Sequence, residues 1–404
     1  MRVLFVSWEY APHINGGLGK HVMELAPALV ALGCEVHVLT PRLSGGASRE
    51  SSAEGVIVHR VEAAQSSGYG FISFNAEVNQ AIELAGLRVS GEVGGFDLIH
   101  NHDWLTATAA AALKHAWKIP LVATIHATER GRGQGRLLGP QAERIHTLEW
   151  MLTYEAWRVI ACSHFMANQI HKYFETPPDK IDVVANGVRI MPTPFASEAE
   201  WLNYRRRFAE DDQPIAYYVG RIVYEKGLHI LLDCWPSVLQ RYPRARLVIA
   251  GAGPYLNELK DQARWLDISD SVIFAGFISD AERDQLYHVA SVAVFPSLYE
   301  PFGMVALEAM AANCPLVVSA TGGLTEVVTP HVTGLTVQPG NPQSLAWGLL
   351  HTLTHPEWTA KRIENAFATA RDSFGWATIA TETLSVYKHV LSVWAADSWG
   401  KWEG

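Results

Sequence analysis

Glu300 and Glu308 bracket the run Glu300-Pro301-Phe302-Gly303-Met304-Val305-Ala306-Leu307-Glu308. Pro301 keeps Glu300 out of the helical region, and Gly303 frees the turn into a helix. The run therefore places Glu300 just before a helix N-terminus, where a carboxylate stays ionised and accepts hydrogen bonds from hydroxyls. It places Glu308 about two turns in. Val305, Leu307, Ala309 and Ala311 make that helix apolar all round, which fits a buried helix better than a solvated one.

Three further segments hold groups suited to chemistry. In Gly220-Arg221-Ile222-Val223-Tyr224-Glu225-Lys226-Gly227, two cations flank a short loop between a strand and a helix, so both can converge on one anion. In Asn15-Gly16-Gly17-Leu18-Gly19-Lys20, glycines let backbone approach a ligand at a helix N-terminus. This is not a P-loop: Ile14 stands where a glycine is needed and His21 where Ser or Thr is needed. The pair Ile99-His100-Asn101-His102-Asp103-Trp104 and Thr124-Ile125-His126-Ala127-Thr128-Glu129 gathers His100, His102, His126 and Asp103. Spacing assembles no metal shell from them, so no metal is expected.

The elements that must position these groups read as alternating strands and helices. Val3–Ser7, Val36–Leu39, Asp97–His100, Leu121–His126, Val159–Ser163 and Ile181–Val184 read as strands. Between and beside them run helical patterns, among them one with Val22, Leu25, Ala26, Leu29 and Leu32 on one face. Pro27 lies inside it, which predicts a kink or a shifted start. From Asn186 to Pro214 the periodicity fails, and a connection between domains is expected there. The alternation restarts with strands at Ile215–Val219, Arg246–Ala250, Ser271–Phe274, Val292–Phe295 and Leu316–Ser319, and Trp376–Trp394 is a periodic apolar helix. This is an α/β chain of two doubly wound parallel-sheet domains. The first is expected over residues 1–190 with 375–404, the second over 191–374. In such folds ligands bind outside the carboxyl ends of the strands, where all four segments lie.

Composition narrows the function. The 404 residues carry 32 Lys+Arg against 41 Asp+Glu, a formal charge of −9, which argues against a general nucleic-acid or anionic-membrane binder. Hydrophobic residues make up 49% and charged ones 18%, so the chain is globular. The apolar start Val3–Val6 is too short for a signal-peptide core, and no run is long enough to cross a membrane. Cys34, Cys162, Cys234 and Cys314 show no zinc spacing and read as small hydrophobes in a reducing, cytoplasmic setting.

Together the segments resemble the retaining glycosyltransferases of family 4 and the related bacterial glycogen and starch synthases, over nearly the whole chain. The matching motifs are Glu300-x7-Glu308, Gly220-Arg221-x4-Lys226-Gly227 and Trp8-Glu9-Tyr10-x5-Gly16-Gly17-Leu18-Gly19. The resemblance implies a GT-B fold: two Rossmann-like domains facing across a cleft, with the last helix crossing back to the first domain. It implies that Arg221 and Lys226 clamp the donor diphosphate, helped by backbone at Gly16 and Gly17. Glu300 would act with backbone from Phe302, Gly303, Met304 and Val305 on the sugar hydroxyls, and Glu308 on the ribose. Backbone at Gly276 and Phe277 would flank the base, His126 would meet the transferred sugar, and His102 and Asp103 would line the acceptor side. The implied reaction moves glucose from ADP- or UDP-glucose to an α-1,4-glucan, with the nucleotide-sugar as co-substrate and no cofactor. Absence of an Asp-x-Asp pair is consistent with metal-free catalysis. Ile14, Lys20 and Phe302 depart from the synthases, which carry Lys, Asp and Cys there.

Two other readings stand beside it. In one the acceptor is instead a small sugar, a sugar phosphate or a lipid head group, gripped by the arginines of Arg130-Gly131-Arg132-Gly133-Gln134-Gly135-Arg136. A non-catalytic sugar-binding module is the other, against which Arg221, Lys226, Glu300 and Glu308 weigh. Trp8, Tyr10, Trp104 and Trp150 are candidate sugar-stacking rings. Nucleobase and oligomeric state stay open.

Overall fold

The computed structural model describes residues 1–62, 70–190 and 192–399. In chain order the first elements are β1 (Arg2–Ser7), α1 (Gly17–Ala31), β2 (Glu35–Arg42), β3 (Arg49–Ser51), β4 (Ile57–Glu62), α2 (Phe71–Val93) and β5 (Leu98–His102). Then come α3 (Ala107–Trp117), β6 (Leu121–Ile125), α4 (Glu129–Arg132), α5 (Pro140–Glu155), β7 (Arg158–Ala161), α6 (His164–Phe174) and β8 (Ile181–Val183). A second run holds α7 (Glu198–Arg205), β9 (Ile215–Val219), α8 (Leu228–Arg241), β10 (Arg246–Ala250), α9 (Leu256–Trp265), β11 (Val272–Gly276), α10 (Asp280–Val289) and β12 (Val292–Phe295). It continues through α11 (Met304–Ala311), β13 (Leu316–Ser319), α12 (Leu324–Val327), β14 (Leu335–Val337), α13 (Pro342–Thr354) and α14 (Pro356–Ser373), and α15 (Trp376–Ala396) is the last element among the described residues. Two compact units result: Met1–Gly187 with Trp376–Gly404, and Val188–Gly375.

In the first unit the strand order is β3-β4-β2-β1-β5-β6-β7-β8, all parallel except the β3–β4 pair. Val3, Leu4, Phe5 and Val6 of β1 are all fully buried, as a central parallel strand covered on both faces requires. The chain leaves β1 toward β2 on one side and later returns through β5 on the other. That reversal is the topological switch point where doubly wound sheets receive ligands. The second unit repeats the plan in the order β11-β10-β9-β12-β13-β14, with its switch point between β9 and β12.

Helix α1 runs unbroken through Pro27. Val22, Leu25, Ala26 and Leu29 of α1 share one core with Ile379, Ala380, Val386, Tyr387 and Val390 of α15. Burying several such side chains gains roughly 1.5–3 kcal/mol each, which outweighs the roughly 3 kcal/mol of an internal proline. The stretch 186–214, read as an irregular connection, contains α7, started by Ser197, whose hydroxyl accepts the Glu200 N–H. No helix among the described residues is long and apolar enough to cross a membrane.

Candidate active site

In the second unit, two loops meet at the switch point. The loop after β9 folds back so that the Glu225 carbonyl accepts the N–H groups of Leu298 and Tyr299, which join it to the loop after β12. Gly227 has φ +69, and a Cβ there would run into the Pro296 carbonyl, so only glycine lets the loops close this far. The joining brings Lys226 Nζ to 2.7 Å from Glu300 Oε2, with Ser297 Oγ donating to the same oxygen at 3.3 Å. Both members of the ion pair are largely buried, with side chains 16% and 10% exposed. Arg221 lies on the same loop but is half exposed, with Nη2 3.6 Å from Glu225 Oε1.

Glu308 is placed apart from that pair. Helix α11 begins at Met304, so Glu308 lies just over one turn in, not two, because Pro301, Phe302 and Gly303 remain outside the helix. Tyr287 Oη donates to Glu308 Oε2 at 3.3 Å, and Arg283 Nη1 stands 3.5 Å from Glu308 Oε1. Arg283 also pairs with Asp280 and Asp284, and the Glu308, Asp284 and Asp280 carboxylates hold its pKa above the usual range against burial. The two glutamates of the Glu300-x7-Glu308 motif thus carry different counter-groups. Phe302 is buried against Phe374, ring centres 6.2 Å apart, and Met304 and Val305 are partly exposed. Gly276, with φ +70, ends β11, and Phe277 after it is 82% exposed.

In the first unit, the loop after β1 is held by Glu9, whose Oε2 accepts the N–H groups of Asn15 at 2.9 Å and Gly16 at 3.2 Å. The Gly16 N–H is therefore already engaged, and α1 has no side-chain cap. Across the switch point, Asp103 adopts φ 58, ψ 179, a strained conformation for a residue with a Cβ and a mark of functional positions. Its N–H donates to the Thr124 carbonyl, its carbonyl accepts from Asn101 Nδ2, and its Oδ1 accepts the His126 N–H at 2.7 Å. Burial pushes the Asp103 carboxyl up to about 6, with Arg132 and the N–H groups of His126 and Ala127 pulling down.

His102 Nδ1 stands 3.2 Å from His126 Nε2. Burial, with Arg132 nearby, pushes His126 down to about 3, so its ring is neutral and offers a hydrogen bond without charge. His100 is not part of this group: its ring nitrogens meet the Tyr387 hydroxyl at 2.5 Å and Thr124 Oγ1 at 2.7 Å. His21 takes its place, with its ring centre 4.8 Å from that of His126. Behind them Glu149 on α5 accepts the Glu129 N–H at 2.8 Å.

Sequence reasoning missed His21, Ser297, Arg283, Tyr287 and Glu149. His21 alone had a visible signal, since it shares the α1 face of Val22 and Leu25. Of the suggested stacking rings, Trp8, Tyr10 and Trp104 are core residues and Trp150 is exposed, stacked on Tyr154 at 5.5 Å. A hollow of about 400 Å³ in the second unit is lined by Arg205, Gln213, Pro214 and Ser291. Gln213, Pro214 and Ser291 precede β9 and β12, the wrong ends of the strands for ligands in this architecture.

Comparison with known proteins adds the following. Residues 15–190 match the family model described as Glycosyltransferase Family 4, and residues 202–369 that described as Glycosyl transferases group 1. An uncharacterized glycosyltransferase of Methanocaldococcus jannaschii is 38% identical over 397 residues, covering 97% of this chain and 99% of that protein. A glycogen synthase of Mycobacterium tuberculosis is 37% identical over 401 residues, covering 96% and 94%. Among solved structures, a sucrose-phosphate synthase from Thermosynechococcus elongatus superposes with a TM-score of 0.81 at 23% identity, over 97% of this chain and 99% of that one.

Proposed function

The chain belongs to glycosyltransferase family 4 and has the GT-B fold, and we propose that it transfers glucose from ADP- or UDP-glucose to the non-reducing end of an α-1,4-glucan. The transfer retains the anomeric configuration and uses no metal ion. The observation that carries this reading is the Lys226–Glu300 pair, 2.7 Å apart at the switch point of the second unit. An ammonium and a carboxylate held against each other there can exchange partners with a nucleotide-sugar. Lys226, with Arg221, takes the diphosphate, and Glu300 turns to the sugar hydroxyls.

Cleavage of the sugar–phosphate bond develops negative charge on the leaving diphosphate, and pre-placed cations stabilise it without the reorganisation that water would need. Glu308, steadied by Arg283 and Tyr287, accepts from the ribose hydroxyls. Phe277 and the Gly276 backbone flank the base. His126 offers a neutral ring nitrogen to the transferred sugar, with His102 and Asp103 on the acceptor side. Glu300 acts as a hydrogen-bond acceptor and not as a covalent nucleophile, so retention follows from attack on the face the diphosphate leaves. The glucan acceptor is supported by likeness to the Mycobacterium tuberculosis glycogen synthase. The four cysteines are all buried, as small hydrophobes in a reducing compartment would be.

The test is release of nucleoside diphosphate from ADP-, UDP- and GDP-sugars crossed with glycogen, maltose, glucose phosphates and water, with a chelator present. Glycogen-dependent release from ADP- or UDP-glucose is expected. Failure of glycogen with every donor would overturn the acceptor, and loss of activity to the chelator would overturn the metal-free mechanism.

A further inference from the structure

We propose that His21, His102 and His126 form a site for one late first-row divalent cation of the zinc class, and that filling it stops transfer. Each of the three imidazoles offers a nitrogen, and these nitrogens lie within 4.8 Å of one another. The ring centres form a nearly equilateral triangle: 4.8 Å for His21–His126, and 5.5 Å for both His21–His102 and His102–His126. Zinc–imidazole bonds of about 2.0–2.1 Å at a tetrahedral angle hold their nitrogens roughly 3.4 Å apart. His102 Nδ1 and His126 Nε2 already stand at 3.2 Å, so small ring rotations complete the set.

His21 is already held as a metal ligand would be. His21 Nδ1 lies 2.7 Å from Asn186 Oδ1. An amide oxygen only accepts, so the proton sits on Nδ1 and the lone pair on Nε2. That Nε2 is buried with no hydrogen-bond partner. A histidine tied at one nitrogen to a carbonyl oxygen and open at the other is how metal-ligating imidazoles are held. All-imidazole donors favour zinc, cobalt, nickel or copper over magnesium and calcium. His126 is partly exposed, which gives an ion a way in, and three ligands leave a fourth position for water.

The inhibitory half rests on the proposed function: with its nitrogen bound to an ion, His126 cannot meet the transferred sugar. The binding half does not rest on it. Metal-stripped full-length protein titrated with Co²⁺ should show the visible absorption of a tetrahedral site, saturating at one ion per chain and displaced by Zn²⁺ but not Mg²⁺. His21→Phe, which keeps the packing on Trp376, should weaken Zn²⁺ binding at least tenfold. His351→Ala, at a histidine cluster elsewhere, should leave it unchanged. If His21→Phe fails to fold, His126→Ala read by binding alone replaces it. No saturable binding at micromolar Zn²⁺, or undiminished binding in the variant, would overturn the site. Zn²⁺ binding that leaves nucleotide release by an active enzyme untouched would overturn the switch. Binding by a protein with no transferase activity would overturn the proposed function and leave the site standing.

Discussion

Replacing Glu149 by Gln should remove most of the alkaline sensitivity of the first unit. Glu149 is 1% exposed. One carboxyl oxygen accepts the Glu129 N–H at 2.8 Å, and the other is buried with no hydrogen-bond partner. Burial pushes the carboxyl from 4.5 up to about 8, although the Glu129 N–H and Arg132 favour the ionised form. Because the folded value lies above the unfolded one, the native chain keeps a proton that the unfolded chain has released. The associated stability is whole below about pH 4.5 and is lost as pH rises toward 8. At 1.36 kcal/mol per pH unit, the part lost between pH 6 and 9 is about 3 kcal/mol if the carboxyl stays in place. Gln keeps the carbonyl that accepts from Glu129 and carries no proton to lose. Melting curves of both proteins from pH 6 to 9 should therefore diverge in favour of Glu149→Gln. In a unit of this size the gap should reach about 6–12 °C, at roughly 2–4 °C per kcal/mol. Parallel melting curves would show that Glu149 is not a protonated buried acid and would refute the reasoning.

Two further outcomes follow from the geometry. Lys226→Met takes the cation from a nearly buried carboxylate and should cost about 3 kcal/mol in urea unfolding, with kcat down at least about 100-fold. Adding Glu300→Gln should restore the stability and not the rate. An active double variant would place the chemistry elsewhere. Gly19→Ala puts a Cβ 2.8 Å from Glu9 Oε2 and must push that carboxylate off the Asn15 and Gly16 N–H groups. Stability should fall by about 1–3 kcal/mol together with turnover, and an unchanged variant would show that Glu9 does not hold the loop.

The central strands were legible because a parallel strand covered on both faces is a short, unbroken apolar run. Val3–Ser7, Ile215–Val219, Arg246–Ala250 and Val292–Phe295 all emerge as strands. The edge elements were not. All three residues of β3 are exposed, so burial does little to shape its sequence, and α7, whose mean composition is polar, sat inside what read as a linker. Pro27 does not end α1, because a local rule ignores what the helix packs on. Within the site, the motifs gave Lys226 and Glu300, and their strand-end positions explain why they meet. The partners of Glu308 could not be found this way: Arg283 and Tyr287 lie on a different helix, and only folding brings them to α11. The partner of His100 was hidden for the same reason, since Tyr387 meets its ring from 287 residues away.

Helix α15 gives the chain an order of assembly. Val188–Gly375 is one continuous stretch, complete once residue 375 has left the ribosome, and it interrupts the first unit like a long insertion. The amino-terminal sheet, although made first, must wait with the apolar side of α1 bare and the His100 ring without its phenol partner until the final helix emerges. Translation therefore finishes the later half before it can seal the earlier one, and truncation after Phe374 should leave a nascent chain that chaperones hold and proteases clear.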